Sequence, residues 1–303
     1  MSDSAPELWS IVGATGTGKS ALSLDLAEAL NARGRAAEIV NADAMQFYRG
    51  MDIGTAKLPV AERRGIPHHL FDALEPAQEA TVAWYQPEAR SVIEEIQARG
   101  ADAIVVGGSG LYVSSVIFDF QFPPRDAAVR EALESELIDL GVDALYARLE
   151  RLDPSAAGVV DRHNGRRVVR ALELHALGSS AHGTLPEVPQ LWQAGTRVIG
   201  VRSDRAELVA RLDRRVEGMW AAGLLDEVQS LIPRGIEHGP TASRAIGYAQ
   251  ALGQLAGRFN EAEAIAETQA LTRRYARRQV SWFKRYPSIE WLDHPDVSLV
   301  PLA

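Results

Sequence analysis

The chain has 303 residues, 46% hydrophobic and 24% charged, with a formal net charge of −8 at pH 7. This is globular composition with ample material for a core, which excludes a mainly disordered chain, and no run reaches the ~20 apolar residues that span a bilayer. Met1–Pro6 lacks the basic start and apolar run of a secretion signal, and the absence of cysteine excludes disulfides, thiolate metal sites and thiol nucleophiles, which fits a cytoplasmic protein with no membrane partner.

Leu8–Val12 is a short apolar run ending at a glycine-rich turn, the pattern of a buried strand feeding a helix. Ala21, Leu22, Leu24, Leu26, Ala27 and Leu30 supply that helix, and Gly34 lies just beyond its end. Ala37–Val40 reads as a second strand, closing on Asn41-Ala42-Asp43. Val92, Ile93 and Ile96 suit a helix stopping at Gly100. Ala103–Val106 is a third strand, running into Gly107-Gly108-Ser109-Gly110, and Arg197–Val201 a fourth. Short apolar strands alternating with helices predict a parallel α/β sheet. From about Arg125 to Leu177 no strand is evident, and Leu133, Leu137, Leu140, Leu145, Leu149 and Leu152 read as helix interiors. Gly178–Gly195 reads as a loop. Helices are expected again over 205–232, 243–256 and 261–285.

Gly13-Ala14-Thr15-Gly16-Thr17-Gly18-Lys19-Ser20 matches G-x-x-x-x-G-K-[ST] between a strand and a helix. Such a loop turns backbone N–H groups and a helix N-terminus toward an anion. Lys19 adds a full charge, and the Ser20 hydroxyl can ligate Mg2+. The loop predicts a bound diphosphate or triphosphate without saying of which molecule. A P-loop NTPase also carries a Walker-B Asp for its metal, yet the strand 103–106 has no acid at its C-terminal end. Asp43 is the nearest carboxylate by topology, because ligand sites in such sheets lie at the carboxyl ends of strands; a simple turn or N-cap role is its alternative. Group transfer from a diphosphate ester becomes an option.

The average charge argues against a nucleic-acid binder, but it hides clustering. RRYARRQVSWFKR at 273–285 has six basic residues and no acid, and RHNGRRVVR at 162–170 has four arginines and no acid. Each run is equally compatible with a solvated helix face. His68-His69 invite a metal, but adjacent histidines on an extended segment point to opposite faces and no third ligand is near, so a structural role is expected. Trp282 and Phe283, at helical spacing with Tyr275 and Val280, read as core.

Taken in order, several segments resemble the bacterial tRNA dimethylallyltransferases, or tRNA isopentenyltransferases, of the IPP transferase family. They are Gly13–Ser20, the stretch Asn41–Lys57 that includes Met51-Asp52-Ile53-Gly54-Thr55-Ala56-Lys57, Pro67-His68-His69-Leu70 and Val105–Tyr112. Asp153-Pro154, Arg167 with Arg170-Ala171-Leu172-Glu173, Ala245-Ile246-Gly247-Tyr248 and Thr272–Gln279 with Trp282-Phe283 follow. The resemblance covers nearly the whole chain. It departs at Ala44, where the family usually has Ser, and at Ser109, where it has Thr; Ser109 keeps the hydroxyl, whereas Ala44 loses one.

The resemblance implies a P-loop NTPase-like parallel sheet flanked by helices, with an all-helical insertion domain. The core would occupy 1–120 and 196–303, and a tRNA-contacting insertion 121–195. It implies transfer of a dimethylallyl group from dimethylallyl diphosphate to N6 of the adenine 3′-adjacent to the anticodon in tRNA, with Mg2+ as cofactor, by a cytoplasmic monomer. Gly13, Ala14, Thr15, Gly16, Thr17, Gly18, Lys19 and Ser20 would hold the donor's diphosphate, with Ser20 on the metal. Asp43 would be the base, with Ser109 and Arg215 beside the departing oxygen, although Arg215 alone reads as a surface helix residue. Asp43, Ala44, Met45, Gln46 and Ser109 would line the adenine pocket. Arg130, Arg166, Arg167, Val168, Val169 and Arg170 would meet the tRNA anticodon stem-loop. Three rivals remain: a prenyltransferase acting on free adenine nucleotides, a small-molecule P-loop kinase, and a non-enzymatic RNA-binding protein. The helical block favours tRNA over the first, the missing Walker-B acid disfavours the second, and the third explains neither Lys19 nor Asp43.

Overall fold

The computed structural model describes residues 5–123, 125–179, 189–286 and 288–302. Six strands form one parallel sheet in the order β3-β2-β4-β1-β5-β6. They are β1 (Leu8–Gly13), β2 (Ala37–Asn41), β3 (His68–His69), β4 (Asp102–Gly107), β5 (Arg197–Val201) and β6 (Glu290–Leu292). Every residue of β1 and β4 is buried, as expected for strands covered on both faces. The two extra strands, β3 and β6, are the edges. In β3 the histidines are structural: His69 Nε2 pairs with Glu38 Oε2 at 2.6 Å, and His68 Nδ1 meets Ile66 O at 2.7 Å.

The chain divides into two compact units, 1–119 with 190–303, and 120–189. In the first, helices α1 (Lys19–Asn31), α2 (Val82–Ala98), α3 (Gly110–Ile117), α7 (Arg205–Ala221), α8 (Leu224–Leu231), α9 (Tyr248–Leu255) and α10 (Glu261–Phe283) accompany the sheet. One face of its core joins Leu22, Leu26 and Leu30 of α1 to Ile11, Ile39, Ile104 and Ile199 of the strands. Residues 190–192 belong to this unit: Asp119 N–H donates to Gln190 O, and Trp192 N–H to Ile117 O, each at 2.9 Å.

Among its described residues the second unit is all helical: α4 (Ala127–Leu152), α5 (Pro154–Val159) and α6 (Gly165–Ala176). Its core holds Leu133, Leu145, Leu149, Val168, Val169 and Leu172. The leucine pattern fails at two places. Leu140 and Leu152 are 59% and 49% exposed; Leu140 ends the first segment of α4, beside Gly141, whose φ 80° and ψ 167° break the helix, and Leu152 is the last residue of α4. Half of the expected loop 178–195, residues 180–188, lies outside the described residues.

Candidate active site

The phosphate loop connects β1 to α1 and is tied down from within and from above. Thr17 Oγ1 and Lys19 Nζ both donate to Ala14 O, at 2.9 and 2.8 Å. From α7, Arg211 Nη1 donates to Gly16 O at 2.7 Å, and Arg215 Nη1 to Thr15 Oγ1 at 3.3 Å. Arg215 is therefore a site residue, not a surface one.

The end of β4 approaches the segment after β2 closely. A Cβ on Gly107 would lie 2.5 Å from Ala42 O, so only glycine lets the two strand ends meet here. Ala44 N–H consequently donates to Ser109 Oγ at 3.3 Å, and Ser109 Oγ meets the Tyr275 hydroxyl at 3.4 Å. Asp43 caps a 3-10 turn, Ala44–Phe47, with Oδ1 accepting from Met45 N–H at 3.1 Å. The turn reading of Asp43 and its placement in the site thus coexist. The acid on β4, Asp102, stands at the opposite end of that strand, held by Arg35 through two hydrogen bonds of 2.9 and 2.7 Å. Among the described residues, no carboxylate stands at the C-terminal end of β4, where a Walker-B acid would be.

Thr15, Asp43, Ser109, Arg215 and Tyr275 give polar groups to an open cavity of about 440 Å³, with Ala44 and Met45 beside them. Leu212, Val216, Met219 and Ile246 form an apolar flank. Burial pushes the Asp43 carboxyl above the usual range, while its Met45 hydrogen bond and the charges of Lys19 and Arg215 pull it back. Burial lowers Lys19 to about 8, against the pull of Asp43 and with the added repulsion of Arg215. Burial likewise lowers Arg215 and raises Tyr275 to about 12, assisted by Asp43.

Gln46 and Ser20 lie elsewhere: both border a narrow recess with Asn41, His68 and Phe71. Gln46 Nε2 donates to Thr55 O at 3.1 Å. The Met51–Lys57 block folds around two anchors, the buried Lys57 and the half-buried Glu227. Lys57 Nζ donates to Tyr48 O and pairs with Asp72, both at 2.7 Å. Glu227 of α8 accepts from Asp52 and Ile53 N–H, at 3.1 and 2.8 Å, and from the Tyr248 hydroxyl at 2.6 Å. Thus the Met51–Lys57 and Ala245–Tyr248 blocks clasp each other, bringing Gly54, Thr55 and Ile246 to the cavity.

The arginine runs divide. Phe283 is core, as expected, whereas Tyr275 faces the cavity and Arg278 lines it too. In the helical unit, Arg166 and Arg167 are exposed. Val168 and Val169 are fully buried, so their side chains pack the unit's core. Arg130 and Arg170 pair with the fully buried Glu173 at 3.3 and 2.9 Å. Sequence reasoning missed the roles of Glu173, of Tyr275 as a cavity residue, and of Gln279; the Arg170–Glu173 and Thr272–Gln279 segments contained them without showing what they do.

A phosphate loop set beside one partly buried carboxylate, with a hydroxyl where NTPases keep a metal-binding acid, defines a P-loop-type transferase. A profile described as IPP transferase matches residues 46–286. A tRNA dimethylallyltransferase of Clavibacter sepedonicus is 58% identical over 293 residues, spanning 97% of this chain and 95% of its own. One of Leifsonia xyli subsp. xyli is 60% identical over 260 residues, spanning 86% and 98%. Among solved structures, the full-length tRNA isopentenylpyrophosphate transferase of Bacillus halodurans matches with a TM-score of 0.67 at 38% identity, covering 95% of this chain and 89% of its own. A eukaryotic dimethylallyltransferase acting on tRNA matches with a TM-score of 0.79 at 30% identity, covering 97% and 75%. The chain belongs to the IPP transferase family, that of the tRNA dimethylallyltransferases.

Proposed function

We propose that the chain transfers a dimethylallyl group from dimethylallyl diphosphate to N6 of the adenine 3′-adjacent to the anticodon in tRNA, with the cavity as the reaction chamber. The observation that carries this division of labour is the pairing of a phosphate loop with Asp43 across one half-apolar cavity. The loop amides and Lys19 hold the diphosphate. The flank of Leu212, Val216, Met219 and Ile246 takes the five-carbon chain and keeps water from it.

As the C1–O bond breaks, positive charge grows on the allylic carbon and negative charge on the bridging oxygen. Lys19, Arg215 and the Ser109 hydroxyl stabilise that oxygen. The adenine amine is a weak nucleophile, its lone pair delocalised into the ring. Asp43 takes its proton as the N6–C1 bond forms, a contribution of about 10²–10⁴-fold. Burial makes Asp43 a stronger base than a solvated aspartate, while Lys19 and Arg215 keep it ionised. The adenine must leave its stack to arrive, as for other base-modifying enzymes.

Magnesium is part of the proposal. Ser20, exposed at the first turn of α1, would hold the ion by its hydroxyl, an oxygen donor of the kind Mg2+ favours together with substrate phosphates. Among the described residues no three His, Cys, Asp or Glu cluster to cage a metal without substrate. The ion, when bound, neutralises diphosphate charge. Exposed Arg166 and Arg167 meet RNA phosphates, which position an RNA while loop bases specify it. No helix among the described residues is long and apolar enough to cross a membrane, and a tRNA substrate supports a cytoplasmic site of action.

The test is the cosubstrate. With donor, tRNA and Mg2+, product must form without ATP; product that strictly requires ATP, with γ-phosphate release, would contradict the proposal.

A further inference from the structure

Gln279 is 4% exposed in α10, within the Tyr275–Phe283 block, and neither donor nor tRNA binding accounts for it. Its Oε1 accepts from Thr15 N–H and its Nε2 donates to Gly108 O, both at 2.9 Å. Thr15 lies beyond β1 and Gly108 beyond β4, neighbouring strands of the sheet. One side chain therefore links the phosphate loop to the loop carrying Ser109. The amide orientation is dictated by its partners, since an N–H can only donate and a C=O only accept. Glutamate lacks the donor and methionine lacks both. The fit is tight: a Cβ on Gly108 would stand 2.3 Å from Nε2 and 2.9 Å from Gly13 O. One turn earlier on α10, the Tyr275 hydroxyl meets Ser109 Oγ at 3.4 Å.

We propose that Gln279 is a positioning residue that sets the separation between the leaving-group loop and the acceptor side, so that C1–O cleavage is followed by capture on N6. The inference rests on the function proposed above. The C1–O bond breaks at the loop that Oε1 holds, with the Ser109 hydroxyl on the departing oxygen, and the N6–C1 bond forms beside Asp43, whose neighbour Ala44 is tied by its N–H to Ser109 Oγ on the loop that Nε2 holds. A misplacement of 1 Å between reacting groups costs about 10²-fold in rate. With the strut loosened, diphosphate still departs, but water reaches the carbon. A C1–O bond to water then forms in place of C1–N6, the water's proton passes to solvent, and dimethylallyl alcohol results.

The experiment uses the full-length protein, saturating dimethylallyl diphosphate and unmodified tRNA in single turnover. Diphosphate released and prenyl groups transferred are counted together, alongside thermal melts. Wild type is expected to give a ratio near one. Gln279→Met, of equal length without hydrogen bonding, is expected to lose transfer by about 10–10²-fold at unchanged tRNA affinity, with the ratio rising above one. Gln279→Glu, which keeps the acceptor for Thr15, decides by the same ratio should the Met variant fail to fold. A ratio held at one in the folded variants, whether rates are normal or fall with the melting temperature, assigns Gln279 to packing and overturns the inference alone. A wild-type protein that prenylates no tRNA overturns the functional proposal and this inference with it.

Discussion

Lys19, at the start of α1, and Asp43, just beyond β2, each favour the other's charged form: Asp43 works against the burial that lowers Lys19 to about 8, and Lys19 against the burial that raises Asp43. A lysine with a lowered pKa loses its charge as pH rises through that value. Affinity for pyrophosphate, measured by calorimetry on the free protein, should therefore fall as pH rises through about 8. Lys19→Met should abolish that step and lose about 1.5–3 kcal/mol of pyrophosphate binding, the contribution of a charge-assisted hydrogen bond. A flat profile in the wild type would contradict the pairing.

Asp43→Asn keeps size, polarity and a capping oxygen for Met45 but removes basicity. Single-turnover transfer should drop about 10²-fold or more, with tRNA and donor affinity within a few-fold. Extra Mg2+ should not rescue it, as it would rescue a lost metal ligand. Because burial raises Asp43, the acidic limb of the wild-type pH–rate profile should lie above the ~3.9 of a solvated aspartate and vanish in the variant. Loss of Asp43 should also move the alkaline step in pyrophosphate binding below about 8, since Asp43 is what holds Lys19 up.

Glu173 is fully buried and accepts from Asp126 N–H at 3.1 Å besides pairing with Arg130 and Arg170. Removing one member of such a buried cluster costs about 3–5 kcal/mol, because the partners lose their counter-charge. Glu173→Ala should lower stability by that order in denaturant titrations. A loss within ~0.5 kcal/mol, as for an ordinary surface position, would mean that the arginines are held some other way.

Exposed Arg166 and Arg167 should act on RNA through phosphates. Replacing both with Ala should reduce the slope of log K against log[salt] for tRNA by about one to two units, because fewer counterions are released. Donor affinity should not change. An unaltered slope would leave them as a solvated helix face.

How much of this was legible in sequence follows from what each feature depends on. The phosphate loop was readable because its geometry demands particular residues at fixed local spacing. Asp43 was readable from topology, since strand ends converge. The strands β3 and β6 span only two and three residues, too short to carry a period. Leu140 was misread because periodicity does not show where a helix ends, and the first segment of α4 ends beside it at Gly141. Val168 and Val169 came with the arginines around them, yet α6 turns them inward. Gln279 was out of reach for a different reason: its partners lie 264 and 171 residues away along the chain, and nothing local records them.

The central claim is tested most directly by incubating labelled dimethylallyl diphosphate and Mg2+ with the protein, separately with unmodified tRNA and with AMP. The account predicts label on N6 of the adenine 3′-adjacent to the anticodon, and little on AMP. Label on AMP with tRNA left unmodified would contradict it.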